Sequence, residues 1–452
     1  MPSSTIAQSL KIYTRKISRG LSVPTREWLE ELCFGILSGA SFQIASIARS
    51  VKQEIRLKKI TERLTYHLGK SDLRQTLLEN NLNQVSCGLK KDSLIVLDPS
   101  TLEKPFSKKM ENIGCVKMNA KNIFQKRKYK DKNQKKEVVP GYMTMNAVVV
   151  DKSNRSVSPI YSKVYSHVMK DKESYENHQI MTCVRKIMHS LGKRGIYVMD
   201  RASDRRYLLE FFLKAKLSFV FRFIGKRDVY LNEKDIKKLG LKKKLKKNGK
   251  VNLREMSERI ELPYQGTVLK PHRHTGKMGF KKLKFNFIKV GLPLENKTYW
   301  ITVVVSQFLN KKTKALFATT LEVKTHEDAL KIIDAYQQRW LIEQGFNFMS
   351  NHFNLSDFRV QKFERIENLY TIAMLLMSYL SQIRELKLVS VRVLLLILSS
   401  AKALKFSSSF MYYQIGQGIR VLLQRQYPYG FFKPPPINTK QGMLFNGDLA
   451  YA

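Results

Sequence analysis

Two aspartates stand at the ends of apolar runs, where a charged side chain is unusual. Asp98 closes the run Ser-Leu-Ile-Val-Leu-Asp, and Asp200 closes the run Gly-Ile-Tyr-Val-Met-Asp. Both runs predict buried strands. A carboxylate in this position serves chemistry if it points into a cleft, but aspartate is also common in the turns that follow strands. Neither residue alone establishes a site.

A third acid lies much later in the chain, on a predicted amphipathic helix. Tyr336, Arg339 and Glu343 have the spacing i, i+3 and i+7, so one helix face presents a phenol, a guanidinium and a carboxylate. A solvated face with an Arg–Glu pair has the same spacing. The apolar neighbours indicate instead that the helix is packed; they are Trp340, Leu341, Ile342 and Phe346.

Three carboxylates are suited to phosphodiester chemistry. Two hard cations about 3.5 to 4 Å apart can activate a water or a 3′-hydroxyl on one side of phosphorus and stabilise the leaving oxygen on the other. Mg²⁺ (or Mn²⁺) takes oxygen ligands and keeps several waters, so a few Asp and Glu side chains can hold the two ions. Arg339 can bind a phosphate through two hydrogen bonds, and Tyr336 can donate one.

Other cofactors are not expected. His272 and His274 have no convergent partner residues, which argues against a zinc site. The sequence contains no Gly-x-x-x-x-Gly-Lys-Ser/Thr loop, so no nucleotide cofactor is expected.

The two aspartates belong to a segment with the pattern of a mixed α/β domain. Residues 91–225 contain three consecutive predicted strands and then strands that alternate with helices. This order fits a ribonuclease-H-like mixed sheet flanked by helices, a fold that brings distant carboxylates together. The predicted strands are 93–98, 142–150, 159–165, 195–200 and 217–223, with helices around 173–191 and 207–213.

The core pattern is interrupted before the third acid. Residues 226–325 contain a run with eight lysines and no acid over 236–250, then strand-like stretches at 282–290 and 299–305, and they predict a β-rich insertion. A helix from about 325 to 352 resumes the core, whose final helices occupy 326–384. Residues 385–452 predict a helical C-terminal region with an irregular tail at 434–436. A second basic run, at 126–132, is either a solvated loop or a phosphate contact.

The first 90 residues are predicted to be helical. One helix reaches the Ser-Gly-Ala-Ser breaker at 38–41, a short helix follows over 44–51, and a third carries an apolar stripe through Ile60, Leu64 and Leu68. Short helix, turn and basic helix form the outline of a helix-turn-helix DNA-binding unit. An ordinary helical bundle on the surface of an enzyme fits equally well. The basic residues around the third helix are Arg56, Lys58, Lys59 and Arg63.

The net charge indicates a polyanionic partner. Of 452 residues, 81 are Lys or Arg and 37 are Asp or Glu, which gives a formal charge of +44 and a pI of about 10.0. Such a field favours nucleic acid. A membrane surface competes, but the most apolar stretches, 369–380 and 393–398, are too short or too interrupted to span a bilayer. No signal peptide is expected.

The four cysteines lie far apart, with no Cys-x-x-Cys spacing. We expect reduced, buried thiols, and hence a reducing compartment: the cytoplasm, in association with the nucleoid. These residues are Cys33, Cys87, Cys115 and Cys183.

The residues around the three acids resemble a known family. Asp-Pro-Ser-Thr from Asp98, Val-Met-Asp-Arg-Ala-Ser-Asp from Val198, and the Tyr-x-x-Arg-x-x-x-Glu helix are similar to bacterial insertion-sequence transposases of the DDE class. They resemble in particular the subgroup with a Y-R-E-K signature and a β-insertion ahead of the glutamate. The similarity extends over roughly residues 90–385.

The resemblance implies roles for two sets of residues. The metal-binding, catalytic triad corresponds to Asp98, Asp200 and Glu343. The residues that contact DNA phosphates correspond to Tyr336, Arg339 and Arg222. The family lysine seven residues after the glutamate is Ser350 here, so a neutral hydroxyl takes the place of the charged contact to the terminal phosphate.

The expected function is therefore that of a DNA transposase. It would cut double-stranded DNA at element ends and join the freed 3′-hydroxyl to target DNA with two metal ions, as a homodimer in the DNA complex. A ribonuclease-H-like DNA nuclease without strand transfer is one alternative. An inactive, domesticated DNA-binding protein is the other.

Overall fold

The computed structural model describes residues 2–51, 55–107, 109–117, 138–151, 155–170, 175–271, 278–295, 297–401 and 410–426. The basic run at 126–132, His272, His274 and the tail at 434–436 lie outside these residues. The chain divides into two compact units. The helical unit comprises the described residues within 1–77, 349–403 and 412–452, and the sheet unit comprises those within 78–348 and 404–411.

The secondary structure of the described residues is as follows. The helices are α1 (Pro2–Ile17), α2 (Val23–Gly39), α3 (Ile44–Val51), α4 (Leu57–His67), α5 (Leu73–Ser86), α6 (Glu176–Leu191), α7 (Arg206–Lys214), α8 (Glu233–Lys238), α9 (Leu253–Arg259), α10 (His326–Gln337), α11 (Trp340–His352), α12 (Phe363–Arg384), α13 (Val391–Ser400) and α14 (Tyr412–Gln426). The strands are β1 (Leu94–Glu103), β2 (Gly114–Lys117), β3 (Val138–Asp151), β4 (Ser156–Tyr165), β5 (Ile196–Met199), β6 (Ser218–Phe223), β7 (Asp228–Val229), β8 (Val251–Asn252), β9 (Tyr264–Pro271), β10 (Met278–Leu294), β11 (Lys297–Phe308) and β12 (Ala315–Thr319).

One ten-stranded sheet organises the sheet unit. Its strand order is β2-β3-β1-β5-β6-β12-β11-β10-β9, and β4 also pairs with β3. The central strands β1, β5 and β6 run parallel, whereas β3 runs antiparallel to both β1 and β4. This mixed sheet with flanking helices confirms the predicted fold class.

The sheet is covered on both faces. Residues 94–97 of β1 are all buried, as expected for a strand at the centre of a doubly covered sheet. On one face, α6 and α7 form a core with alternate strand residues, including Phe212 against Phe221 with ring centroids 4.9 Å apart. On the other face, α10 packs against β5, β6, β12, β11, β10 and β9. The core is therefore built around β1, β5 and β6.

The strands between residues 226 and 325 extend this same sheet. β12 pairs antiparallel with β6, and β11, β10 and β9 follow outward. The lysine run at 236–250 lies on α8 and a 3-10 turn at Lys242–Lys244, where the buried Leu241 is the anchor. Most of its lysines are exposed.

The helical unit ties the first helices to helices from the end of the chain. Tyr13 donates a 2.7 Å hydrogen bond to the carbonyl of Leu375, and Asn368 donates one of 2.8 Å to the carbonyl of Leu68. α2 and α3 meet so closely that a Cβ on Gly35 would lie 2.6 Å from Ile47. The three predicted N-terminal helices are present as α2, α3 and α4; their role in DNA binding stays a prediction.

Two of the expectations about cysteine burial are wrong. All four thiols are free, but only Cys33 and Cys183 are buried, whereas Cys87 and Cys115 are exposed. Cys87 follows the end of α5, and Cys115 lies on β2 with its side chain directed outward. The spacing of cysteines in a sequence does not indicate which face of an element each residue occupies.

In the part of the chain that the structure describes, no single helix is both long enough and apolar enough to cross a membrane. The pair formed by α2 and α3, bent by 95°, meets the criteria of length and composition only when the two helices are taken together.

Candidate active site

Asp98 lies within β1, not at its end. The parallel pairing of β1 with β5 stops at Val96 and Val198, but β1 continues along β3 to Glu103, and Asp98 stands opposite Asn146. The predicted strand end at Asp98 is therefore wrong, because pairing with β3 outlasts pairing with β5. Asp98 lies two residues beyond the last pair between β1 and β5.

Asp200 is the first residue after β5 and caps the 3-10 turn Arg201–Ser203. Its Oδ1 accepts a 2.8 Å hydrogen bond from the amide of Ala202, and the Ser203 hydroxyl donates to its carbonyl at 2.6 Å. The first bond orients the Asp200 carboxylate, and the second holds the backbone of the turn. Because β1 and β5 are parallel neighbours, Asp98 and Asp200 occur at the same edge of the sheet.

Asp204, four residues later, has a different environment. Its side chain is only 3% exposed, bonds the Arg227 guanidinium and accepts a 2.8 Å hydrogen bond from the amide of Ile224. It links the turn after β5 to the segment after β6. Asp204 therefore stabilises the frame around Asp200.

The helix predicted over 325–352 is interrupted in the middle. α10 ends at Gln337 and α11 begins at Trp340. The amides of Arg339, Leu341 and Ile342 each bond the carbonyl three residues earlier, so the chain tightens to a 3-10 turn here. The single continuous helix is thus a wrong prediction. The first turn of α10 has a capping box formed by Thr325 and Asp328.

Arg339 joins two of the three candidate acids. Its Nη1 lies 3.2 Å from Oδ1 of Asp98, and its Nη2 bonds Oε1 of Glu343. The side chains of Arg339 and Asp98 are 17% and 16% exposed, whereas that of Glu343 is 49% exposed. One guanidinium therefore brings a strand carboxylate and a helix carboxylate together.

The electrostatics of Asp98 reflect this crowding of charge. Burial raises the pKa of Asp98 to about 7; the Arg339 guanidinium opposes the shift, and the carboxylates of Glu343 and Asp200 add to it. Burial lowers the pKa of Arg339, but the carboxylates of Glu343, Asp98 and Asp200 act together in the opposite direction and the net shift is upward. Glu343 and Asp200 thus both lie close enough to Asp98 and Arg339 to act on them.

A second arginine approaches from β6. The guanidinium of Arg222 lies 5.9 Å from the ring centroid of Tyr336, and that of Arg339 lies 6.0 Å from it. Tyr336 is 8% exposed, and the centroid of its ring lies 4.8 Å from that of Phe317. Phe317 is on β12, where it pairs with Arg222 of β6. Tyr336 is thus a packed platform that holds two cations beside the acids.

The structure brings six of the seven predicted residues together. Ser350 is exposed near the carboxyl end of α11 and belongs to the helical unit, so its contact with DNA stays a prediction. Phe317, which supports Tyr336, was missed from sequence. The residue pattern of its strand indicates which face of the sheet Phe317 occupies, but not that Tyr336 packs against it.

The donors at this edge fit hard cations, because all are carboxylate oxygens. In the described residues, no group of three or more His, Cys, Asp or Glu side chains is arranged around one point as metal ligands would be. Arg339 instead contacts two of the three acids.

A comparison with protein families adds an independent finding. The model described as the transposase DDE domain matches residues 89–380, a segment that contains Asp98, Asp200, Glu343 and both arginines. No curated protein matches the chain. Since the match covers more than half of the 452 residues, the chain belongs to the DDE transposase family.

Proposed function

We propose that this transposase cuts DNA at the ends of a mobile element and joins the freed 3′-hydroxyl to a target, with Asp98, Asp200 and Glu343 as catalytic metal ligands. The observation that carries the proposal is the convergence of these acids at one sheet edge. Asp98 and Glu343 share the Arg339 guanidinium, and Asp200 acts electrostatically on both Asp98 and Arg339.

Two Mg²⁺ or Mn²⁺ ions suit these ligands. Three carboxylates of which at least one is largely buried repel each other, and divalent cations would remove that repulsion. Bound there, the ions supply activation of the nucleophile and charge stabilisation on the leaving oxygen.

The basic residues of the site would hold the substrate. Arg339 has a planar guanidinium suited to a bidentate phosphate contact, and Arg222 stands on the same Tyr336 platform. The formal charge of +44 supports DNA as the partner. Since two element ends must reach one target, we propose a homodimer in the DNA complex, and we place the chain in the Y-R-E-K subgroup on its signature residues.

The test uses Asp98→Asn, Asp200→Asn and Glu343→Gln. Each amide keeps the shape of the acid but loses the charge that retains the metal, so cleavage should be abolished while DNA binding persists. Glu295→Gln is the matched control, because Glu295 pairs with Lys214 on the exposed surface, away from the acids. Substantial cleavage by any triad variant would remove that residue from the site.

Joining is measured separately, with a precut end and a target plasmid. A joined product supports transposition, whereas metal-dependent cutting without joining would indicate a nuclease on the same fold. Binding without cutting in either metal would indicate an inactive DNA-binding protein.

A further inference from the structure

Three lysines on the outer strands of the sheet form a group that the proposed chemistry does not use. We call Lys270, Lys281 and Lys311 the outer basic cluster. Lys270 is the next-to-last residue of β9, Lys281 lies near the start of β10, and Lys311 follows the end of β11. In this antiparallel arrangement these positions all fall at one edge of the sheet.

This edge is the one that carries the acids. Directly opposed residues share a sheet face, as do residues two apart along a strand. The register therefore connects Asp98 to Lys270 on one face of the sheet. The connecting positions, strand by strand, are Val96, Val198, Val220, Arg222, Phe317, Ala315, Ser306, Phe308, Leu283, Lys281 and Val268.

The cluster concentrates positive charge around a half-buried lysine. Lys270 Nζ lies over the Phe308 ring, 4.5 Å from its centroid. Burial lowers the pKa of Lys270, and Lys311, Arg222 and Lys281 lower it further. The charged groups of the described residues that act most strongly on Lys270 are thus all cations. Such an arrangement costs free energy in the folded protein unless an anion joins it.

Within the described residues, the surroundings leave room for such an anion. Lys270 stands opposite Gly279, where an added Cβ would meet no atom of the described residues within 4 Å. The loop that carries Lys311 is held by Gln307, whose Nε2 donates to the carbonyls of Lys311 and Lys312 at 2.8 and 3.1 Å. The backbone that carries Lys311 is therefore held in place without a ligand.

The distance from the acids suits a DNA duplex. From β1 to β9 there are six strand-to-strand steps, and at about 4.8 Å per step they give an upper limit of roughly 29 Å along the sheet. The direct distance is shorter, because Arg222, four strands from β9, acts on Lys270. One helical turn of duplex DNA is about 34 Å. A duplex whose scissile phosphate lies at the acids can thus present backbone phosphates to the outer strands within a single turn.

We propose that the outer basic cluster is a second phosphate-binding site, which holds the DNA backbone up to about one helical turn from the scissile phosphate. The proposal rests on the proposed function only for the position of the cut. Its ligand is the phosphate backbone, so it adds affinity without reading base sequence.

The test is DNA binding without catalytic metal, measured by fluorescence anisotropy as a function of salt. Lys270→Gln, Lys281→Gln and Lys311→Gln, separately and combined, should make the plot of log affinity against log salt shallower by about 0.9 for each phosphate that is no longer neutralised. These substitutions should weaken binding to a duplex that extends more than one turn from the cut towards the cluster. They should not weaken binding to a duplex that is truncated before it reaches the cluster. Lys297→Gln is the matched control, because Lys297 also lies over an aromatic ring, Tyr299 at 5.3 Å, but at the opposite end of β11.

A second measurement locates the bound phosphates. Single neutral methylphosphonate linkages should weaken binding of the wild type within one turn of the cut, and this effect should be absent in the combined variant. Lys270→Arg keeps the positive charge and should therefore retain the binding that Lys270→Gln loses. An unchanged salt dependence in the combined variant, or equal weakening on long and truncated duplexes, would overturn the proposal. Because no metal is present, failure here is distinct from failure of the triad to cut DNA.

Discussion

Arg339 Nη1 lies 3.2 Å from Asp98 Oδ1, although 241 positions separate the two residues in the chain. The same guanidinium also bonds Glu343, so one cation pairs with two of the three acids. A divalent ion held by those acids requires the same oxygens and is repelled by the same guanidinium. Arg339 and the metal therefore compete for the site.

We expect Arg339→Gln to bind Mn²⁺ several-fold more tightly than the wild type in the absence of DNA, because the competing charge is gone. Isothermal titration calorimetry measures this directly. Arg222→Gln is the control. Arg222 contacts the same Tyr336 ring, but among the described residues it is not bonded to Asp98 or Glu343. Weaker or unchanged Mn²⁺ binding by Arg339→Gln would show that the guanidinium does not compete.

Asp204→Ala should destabilise the folded protein by on the order of 2 to 3 kcal/mol, because it leaves Arg227 and the amide of Ile224 without their buried acceptor. Asp200→Asn keeps the acceptor for the amide of Ala202 and should change stability little. Urea unfolding distinguishes the two. Similar destabilisation in both variants would mean that Asp200 is also a structural residue.

The particular residues show why sequence predicted some features and not others. The strand through Leu97 is predictable, because it is apolar on both faces and both faces are buried. The pairing of β12 with β6 is not, because it joins residues about a hundred positions apart through a short strand. Gln338 and Arg339 favour helix by themselves, so only the structure reveals the turn at which Arg339 reaches Asp98.

The N-terminal helices offer a test of end recognition that leaves the fold intact. Deletion of α1 to α4 would remove the partners of α12, such as the Tyr13 contact with Leu375. Arg63 pairs with the buried Glu31 and is structural. Arg56, Lys58 and Lys59 are exposed, and their combined replacement by Gln should reduce the preference for element-end DNA over random DNA.

The variant matched to this α4 variant replaces three exposed lysines of the 236–250 run by Gln: Lys237, Lys242 and Lys243. It should weaken binding to both DNAs alike, since phosphate contacts carry no sequence information. Competition binding with the two DNAs measures the preference. If the α4 variant kept its full preference, the helix-turn-helix interpretation would be wrong.

His352 makes the stability of the helical unit depend on pH. Burial, aided by the Arg420 guanidinium and opposed by a backbone hydrogen bond at Gly416, lowers the pKa of His352 to about 4. Between pH 4 and about 6.5 the unfolded chain binds a proton that the folded chain does not, so the free energy of unfolding falls as the pH drops through this window.

His352→Gln removes that titration. The decrease in unfolding free energy between pH 7 and pH 4.5 should be smaller in the variant by about 2 kcal/mol, measured by urea unfolding at each pH. Identical pH dependence in the two proteins would contradict a neutral, buried His352.

Ser350 is exposed on α11, two helical turns after Glu343. Its hydroxyl can donate one neutral hydrogen bond to a phosphate, whereas a lysine brings a charge, and charge-assisted bonds are about twice as strong. Ser350→Lys should therefore tighten binding to element-end DNA by on the order of 1 kcal/mol, about fivefold, in anisotropy measurements at fixed salt. Asn351→Lys adds the same charge about 100° further round the helix and should gain less. Equal gains would show that added charge acts without a specific contact, and no gain from Ser350→Lys would mean that this position does not face DNA.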